Sequence, residues 1–423
     1  MRCWYLLLLI AGLYSCNKTS DEIAPPPVEP GAGQVYYNKG GTLTCTDVAT
    51  MSIVWEKPKV FASTHTLPVY DNDILYTASA YGAAALDAKT GAVKWIVNYN
   101  AQNFTDLDIN YGSSPLLEGR FLYTQGYSSS NGYAKLYCID KINGEIVWQT
   151  IIAGPANFLL ERLITPVIAE NNIILVGLSE AGIYQLICFN RIDGRSIWKT
   201  ELPATTIQSS HYPQTDGRFV LIHNVKKPQI IVYNAQNGTK FSTITLFDGN
   251  LSQNSRMYIR GNSIYAFSEY NDETRSGSLY KFAITTGMPP IRIPLTENVS
   301  SIVADENAVY ISNPFSITKH NSETLTQEWR AESPFRTRYG DTTWSYAYVY
   351  FSHLIATETN LLTYTEMNFV LGPRPCDSEF ILWDKQTGKV LKRYPSDNCS
   401  VRIPEKYVLV LNRKPYYPST GGR

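Results

Sequence analysis

Short runs rich in β-branched and aromatic residues, separated by turn residues, recur along this chain. Residues 134–139 (Ala-Lys-Leu-Tyr-Cys-Ile) and 145–150 (Glu-Ile-Val-Trp-Gln-Thr) flank one such turn, and both predict strands. The connection Lys141-Ile142-Asn143-Gly144 predicts a hairpin, with glycine where φ must be positive. Two further strands are expected upstream, at 113–117 and 121–124, separated by Glu118-Gly119-Arg120. The same upstream pair recurs at 67–69 with 74–76, at 165–167 with 173–176 and at 212–214 with 219–222. The unit is therefore four antiparallel strands, the definition of a propeller blade.

The turn and the strand after it carry a repeat: Asp or Asn, Gly four residues later, Trp at the eighth. It is complete at Asp87/Gly91/Trp95, Asp140/Gly144/Trp148 and Asn190/Gly194/Trp198. Partial copies stand at Asp47/Trp55, Asn234/Gly238, Ala283/Gly287, Asn321/Trp329 and Asp384/Gly388. The eight anchors are spaced by 40, 53, 50, 44, 49, 38 and 63 residues. A period of this size means a propeller, solenoid or array rather than a single-core domain.

Pro68, Pro115, Pro166 and Pro213 recur in the first strand of four units. Proline cannot donate to a strand ladder and belongs at an edge, so this strand is expected innermost, lining a central channel. The Trp-bearing strand is then outermost, with its indole packed between blades. Before Asp47 there is only one strand candidate, 34–37, while 401–404 and 407–411 look like inner strands lacking an outer pair. The expected closure places these C-terminal strands in the first blade. Eight anchors give eight four-stranded blades in an all-β fold. Seven remain open, because the copies at Ala283 and Asn321 are degenerate.

The sequence Ala85-x-Asp87-x-x-Thr90-Gly91-x-x-x-Trp95 resembles the tryptophan-docking repeat of the quinoprotein (PQQ-like) propellers, over roughly residues 40–413. The resemblance implies the fold. It bears weakly on activity, since one fold hosts many functions.

The chain has 423 residues, with 37 Lys plus Arg balanced by 37 Asp plus Glu. No basic stripe supports nucleic-acid binding. Arg2 followed by an apolar run from Trp4 to Leu13 reads as a signal segment, too short to span a bilayer. It ends in Leu13-Tyr14-Ser15-Cys16, which resembles a bacterial lipoprotein signal. The expected organisation is a signal at 1–15, a lipidated Cys16 with a Pro-rich tether at 16–34, the propeller at 35–413 and a tail at 414–423. The polar start after Cys16 resembles export tracts of surface lipoproteins of the Bacteroidetes. Outer-membrane anchoring is expected, with the membrane face left open.

Of seven cysteines, Cys45, Cys138 and Cys188 each stand two residues before an anchor, where the best copy has Ala85. They read as small core residues, not metal ligands. Cys376 and Cys399 fall outside that slot and could pair in an oxidising compartment; the sequence leaves paired and free both open.

Catalytic chemistry finds little footing. His65, His211, His223, His320 and His353 show no metal-ligand spacing. The carboxylate pairs Asp71/Asp73 and Asp106/Asp108 lie in turn-forming contexts. There is no phosphate-binding glycine loop. Quinoprotein dehydrogenases share the repeat, yet the adjacent Cys-Cys pair that many carry is absent here. No cofactor or metal is expected, and no catalytic residue is assigned. Two features stand out: 30 tyrosines, and the long interval before Asp384, read as an extra hairpin at 354–371.

The expectation is a non-enzymatic, lipid-anchored scaffold that binds an envelope protein. In architecture it is similar to the propeller lipoprotein of the outer-membrane β-barrel assembly machinery. The alternatives are a surface glycan-binding lipoprotein using Tyr and Trp as stacking platforms, and a degenerate quinoprotein dehydrogenase.

Overall fold

Strands buried on both faces pack eight antiparallel sheets against one another, with alternating strands at the outside. A computed structural model describes residues 33–39, 41–63, 66–99, 113–127, 133–154, 165–203, 213–224, 229–245, 257–267, 277–285, 289–295, 299–312, 316–332, 347–369, 377–396, 407–411 and 414–417. All belong to one unit, Gly31–Arg423. The expectations at 1–15, Cys16, the tether as far as residue 32, His65, His211, Asp106, Asp108, Cys376 and Cys399 lie outside the described residues, whereas residues 33 and 34, expected in the tether, already pair in the first strand.

Blade two shows the plan. Val69–Asp71, Ile74–Ser79, Gly82–Asp87 and Val93–Asn98 pair in sequence order as a four-stranded antiparallel sheet. The second and third strands are almost wholly buried, whereas the fourth alternates and is largely exposed. Burial on both faces explains their near-continuous apolar character (Ile-Leu-Tyr-Thr-Ala-Ser, Gly-Ala-Ala-Ala-Leu-Asp). First strands of neighbouring blades touch each other, so they converge on the axis and the fourth strands form the rim. Pro68, Pro115, Pro166 and Pro213 each stand immediately before an innermost strand, where the unpaired edge tolerates a missing N–H.

Blades three to seven repeat the plan over 116–153, 167–201, 214–245, 258–295 and 301–332. The degenerate copies at Ala283 and Asn321 therefore sit in true blades, and the count is eight. Blade eight is Ala347–Ala356, Asn360–Phe369, Asp377–Asp384 and Val390–Ser396. The hairpin expected as an addition at 354–371 is this blade's own inner pair. Its two strands run to 10 residues each, which accounts for part of the long interval.

The ring closes as expected, with a difference. Tyr407–Leu411 pairs antiparallel with Gly33–Lys39, giving blade one its inner strand (Gly33↔Leu411 to Tyr37↔Tyr407). Residues 414–423 were expected to be tail, yet Lys414–Tyr416 adds a fifth strand on the inner side of that one. The candidate strand at 401–404 lies outside the described residues. Next to the fifth strand, the Tyr417 hydroxyl accepts the Tyr70 backbone N–H of blade two at 3.2 Å. C-terminal and N-terminal strands thus share one sheet, so the ring cannot open without breaking a full ladder. Hydrophobic clusters lie between consecutive blades rather than within them: one joins Tyr36, Leu43 and Val408 of blade one to Leu75 and Leu86 of blade two.

Candidate functional site: the turn face and its interblade junctions

Each third strand runs into the repeat turn, and the first-to-second turns lie at the same end of each blade. One face of the ring is therefore built from the repeat motif. In the turn at Asp87, the carboxylate Oδ1 accepts Thr90 N–H at 2.9 Å and Thr90 Oγ1–H at 2.8 Å. The Thr90 hydroxyl, and the backbone N–H groups with it, hold this carboxyl below the usual range. Gly91 N–H bonds back to the Asp87 carbonyl at 2.8 Å. The role is that of an acceptor, so asparagine can fill it: Asn190 Oδ1 accepts Ile192 N–H at 2.8 Å and Asn234 Oδ1 accepts Gln236 N–H at 2.8 Å.

The motif's tryptophan does not touch its own glycine. Trp95 lies over Gly144 of the next blade, where a Cβ would come within 2.8 Å of the indole. Its Nε1–H donates to the Lys141 carbonyl of that same next turn at 3.0 Å. Gly144 has φ of +78°, so glycine is required twice over, by conformation and by contact. The same seat joins Trp55 to Gly91, Trp148 to Gly194, Trp198 to Gly238 and Trp329 to Gly388. Where the tryptophan is missing the seat changes. Ile291 stands at the tryptophan position before Leu325, and Lys392 before Met51. Leu325 and Met51 occupy the glycine position at φ of +59° and +49°, and their buried side chains fill the space between blades.

Residues opposite each tryptophan complete a row across three strands. Trp55, Trp148 and Trp198 face Cys45, Cys138 and Cys188, all fully buried free thiols. Burial pushes each thiol up to about 12, which suits an inert core residue. One strand further in stand Tyr36, Tyr76, Tyr123 and Tyr310, whose rings lie 6.0–6.3 Å from the indoles. Much of the tyrosine excess is therefore core: Tyr36, Tyr37, Tyr76, Tyr123, Tyr137, Tyr280, Tyr364 and Tyr407 are among the largest fully buried side chains. A count of tyrosines could not show this; the row becomes visible only once strand register is known.

Ion pairs staple neighbouring blades on this face. Lys141 of blade three meets Asp71 of blade two at 2.7 Å, and Arg191 of blade four meets Glu118 of blade three at 3.1 Å. Lys385 of blade eight meets Asp305 of blade seven at 2.8 Å. The cation is in each case the residue after the Asp or Asn anchor, a position the sequence reading passed over. Asp71 and Asp73 are spent here too, the latter accepting the Tyr70 hydroxyl at 2.6 Å. His320 is buried, with Nδ1 3.0 Å from the Leu325 carbonyl oxygen and Nε2 3.1 Å from Thr318 Oγ1, and burial lowers its pKa. Among the described residues there is no group of three His, Cys, Asp or Glu side chains that could hold a metal ion.

Beside its exposed charged groups this face presents apolar tips. Ile142 and Ile192, two residues past the anchors of adjacent blades three and four, are 70% and 73% exposed, the highest values among the exposed large hydrophobic residues.

These features define a tryptophan-docked, eight-bladed propeller whose motif residues are committed to joining blades. The family model described as outer membrane protein assembly factor BamB matches residues 17–241 and 162–394, and the chain belongs to that family. No curated protein matches the chain. Among solved structures, it is similar to dihydro-heme d1 dehydrogenase NirN in complex with DHE, at 13% identity and a TM-score of 0.54, covering 87% of this chain and 74% of that one. It is similar to the computationally designed Ika8 protein at 9% identity and a TM-score of 0.52, covering 84% and 95%. BamB from Moraxella catarrhalis matches at 13% identity and a TM-score of 0.49, covering 78% and 88%. At these identities the structural likeness speaks for the fold alone.

Proposed function

We propose that this chain is a lipid-anchored, non-enzymatic scaffold that binds protein partners at the outer membrane. The observation that carries this reading is the family match across both halves of the propeller. Membership of a family described by outer-membrane protein assembly favours protein binding over turnover. The fate of the motif residues points the same way. Among the described residues, Asp87 caps its turn, and Asp71, Glu118 and Asp305 pair with Lys or Arg of the next blade. Among the described residues, many of the tyrosines are buried and five indoles lie over a neighbouring turn, which takes them away from the stacking role that the glycan alternative needs.

Cys16 is the anchor in this reading. Intact-mass analysis of wild type should show an acyl adduct that Cys16→Ala lacks, and the variant should leave the membrane fraction. An unmodified wild-type chain would remove the anchor from the proposal. Affinity isolation of the tagged protein from its own envelope should bring down a protein partner.

A further inference from the structure

We infer that the turn face lies against the lipid surface, with Ile142 and Ile192 dipping into the headgroup–acyl boundary. The inference rests on the lipid-anchor reading above and gives the body an orientation. Three observations carry it. First, the first described residue of the body lies on this face. Gly33 begins the second-position strand of blade one at its turn end, where its carbonyl accepts Val48 N–H of the first repeat turn at 3.1 Å. Second, Gly33 follows Cys16 by 17 positions, a reach of roughly 50 Å at about 3.1 Å per residue in extended Pro-rich chain. The anchor can therefore hold any part of this face on the bilayer. Third, among the described residues the two most exposed large apolar side chains stand at the tips of turns on that face, on neighbouring blades.

The chemistry of the tips suits a bilayer. Each isoleucine has its own backbone N–H already taken: the Asp140 and Asn190 side chains accept the Ile142 and Ile192 N–H groups at 2.9 and 2.8 Å. The turn can enter an interface without freeing those donors. Around them the face carries exposed Arg120 and Arg195 beside exposed acids such as Glu118 and Asp193, so its charge is mixed. Attraction would then come from apolar burial rather than from net charge. Two side chains are too little to bind a free body to a membrane. A tether changes this, because the second contact becomes intramolecular and needs only modest intrinsic affinity.

The test uses the full-length chain purified from membranes and reconstituted into protein-free phospholipid vesicles. Ile142→Cys, Ile192→Cys and Ile151→Cys are each labelled with an environment-sensitive fluorophore and corrected for labelling of the parent chain. Ile151 is 53% exposed at the opposite end of blade three's outer strand and serves as the reference. Blue-shifted emission on reconstitution is expected at 142 and 192 and not at 151. No shift at 142 and 192, or an equal shift at all three sites, overturns the inference. A shift found only in native envelope vesicles assigns the patch to a protein and also overturns it. Intact mass of the same samples separates the two readings. An acylated chain without the shift defeats the orientation alone, whereas a chain without acylation defeats the anchor and the orientation together.

Discussion

At the scale of single residues, the repeat works by seating one blade's indole on the next blade's glycine. Gly144→Ala must place a Cβ within 2.8 Å of Trp95 at φ of +78°. Gly119 also has positive φ, +58°, but a Cβ there meets nothing within 4 Å. Denaturant unfolding should therefore separate the two. Gly119→Ala should cost about 1 kcal/mol of backbone strain, and Gly144→Ala about 2–3 kcal/mol as contact is added. Equal losses would show that the seat does not matter. The turn acceptor makes a second case. The folded pKa of Asp87 is depressed, so its contribution to stability is present above the unfolded value of about 3.9 and is lost as pH falls through the folded value. Asp87→Asn keeps the acceptor, as Asn190 and Asn234 do. It should leave neutral-pH stability nearly unchanged and flatten the loss in the acid range, read from urea midpoints between pH 2 and 7.

Among elements, the blades differ in how their seams are filled, and repeat logic misleads where the tryptophan is gone. Leu325 stands at a glycine position with φ of +59° and is fully buried among Leu279, Ile302 and Val309. A consensus of the repeat would favour Leu325→Gly. The substitution relieves backbone strain but empties the seam, and the larger loss should win by about 2 kcal/mol in equilibrium unfolding. Stabilisation would contradict the packing described for this seam. The turn, the buried cysteine slot and the eight units are legible in the sequence because each leaves a local signature: a glycine, a small residue, a period. What depends on pairing between distant segments leaves none. The tyrosine row needs strand register. The ion pairs join a position after one anchor to an acid about 70 residues away, as in Asp71 and Lys141. Strand Lys414–Tyr416 is three residues long with a proline inside, below what alternation can reveal.

For the whole molecule, closure decides whether eight blades act as one body. One ladder, Tyr407–Leu411 on Gly33–Lys39, converts a row of blades into a ring. Deleting residues 407–423 should remove the inner strands of blade one and expose what is left of the cluster they cover, around Val35, Tyr37 and Leu362. The expected outcome is loss of a single cooperative unfolding transition and binding of a hydrophobic dye; a truncated chain with the full-length midpoint would show that the ladder is dispensable. The fold was legible because propeller blades repeat themselves in sequence. Function was less so, because the motif residues that repeat are consumed in assembling the ring, while the residues carried at the turn tips, such as Ile142 and Ile192, differ from blade to blade. The most direct test of the scaffold reading is the stoichiometry of what the intact, acylated protein holds in its own envelope, measured by quantitative mass spectrometry after cross-linking and affinity isolation. A recurrent envelope protein at near-equimolar ratio, lost when the propeller is unfolded, is the predicted result. A chain recovered alone, with substrate turnover in the same preparation, would contradict it.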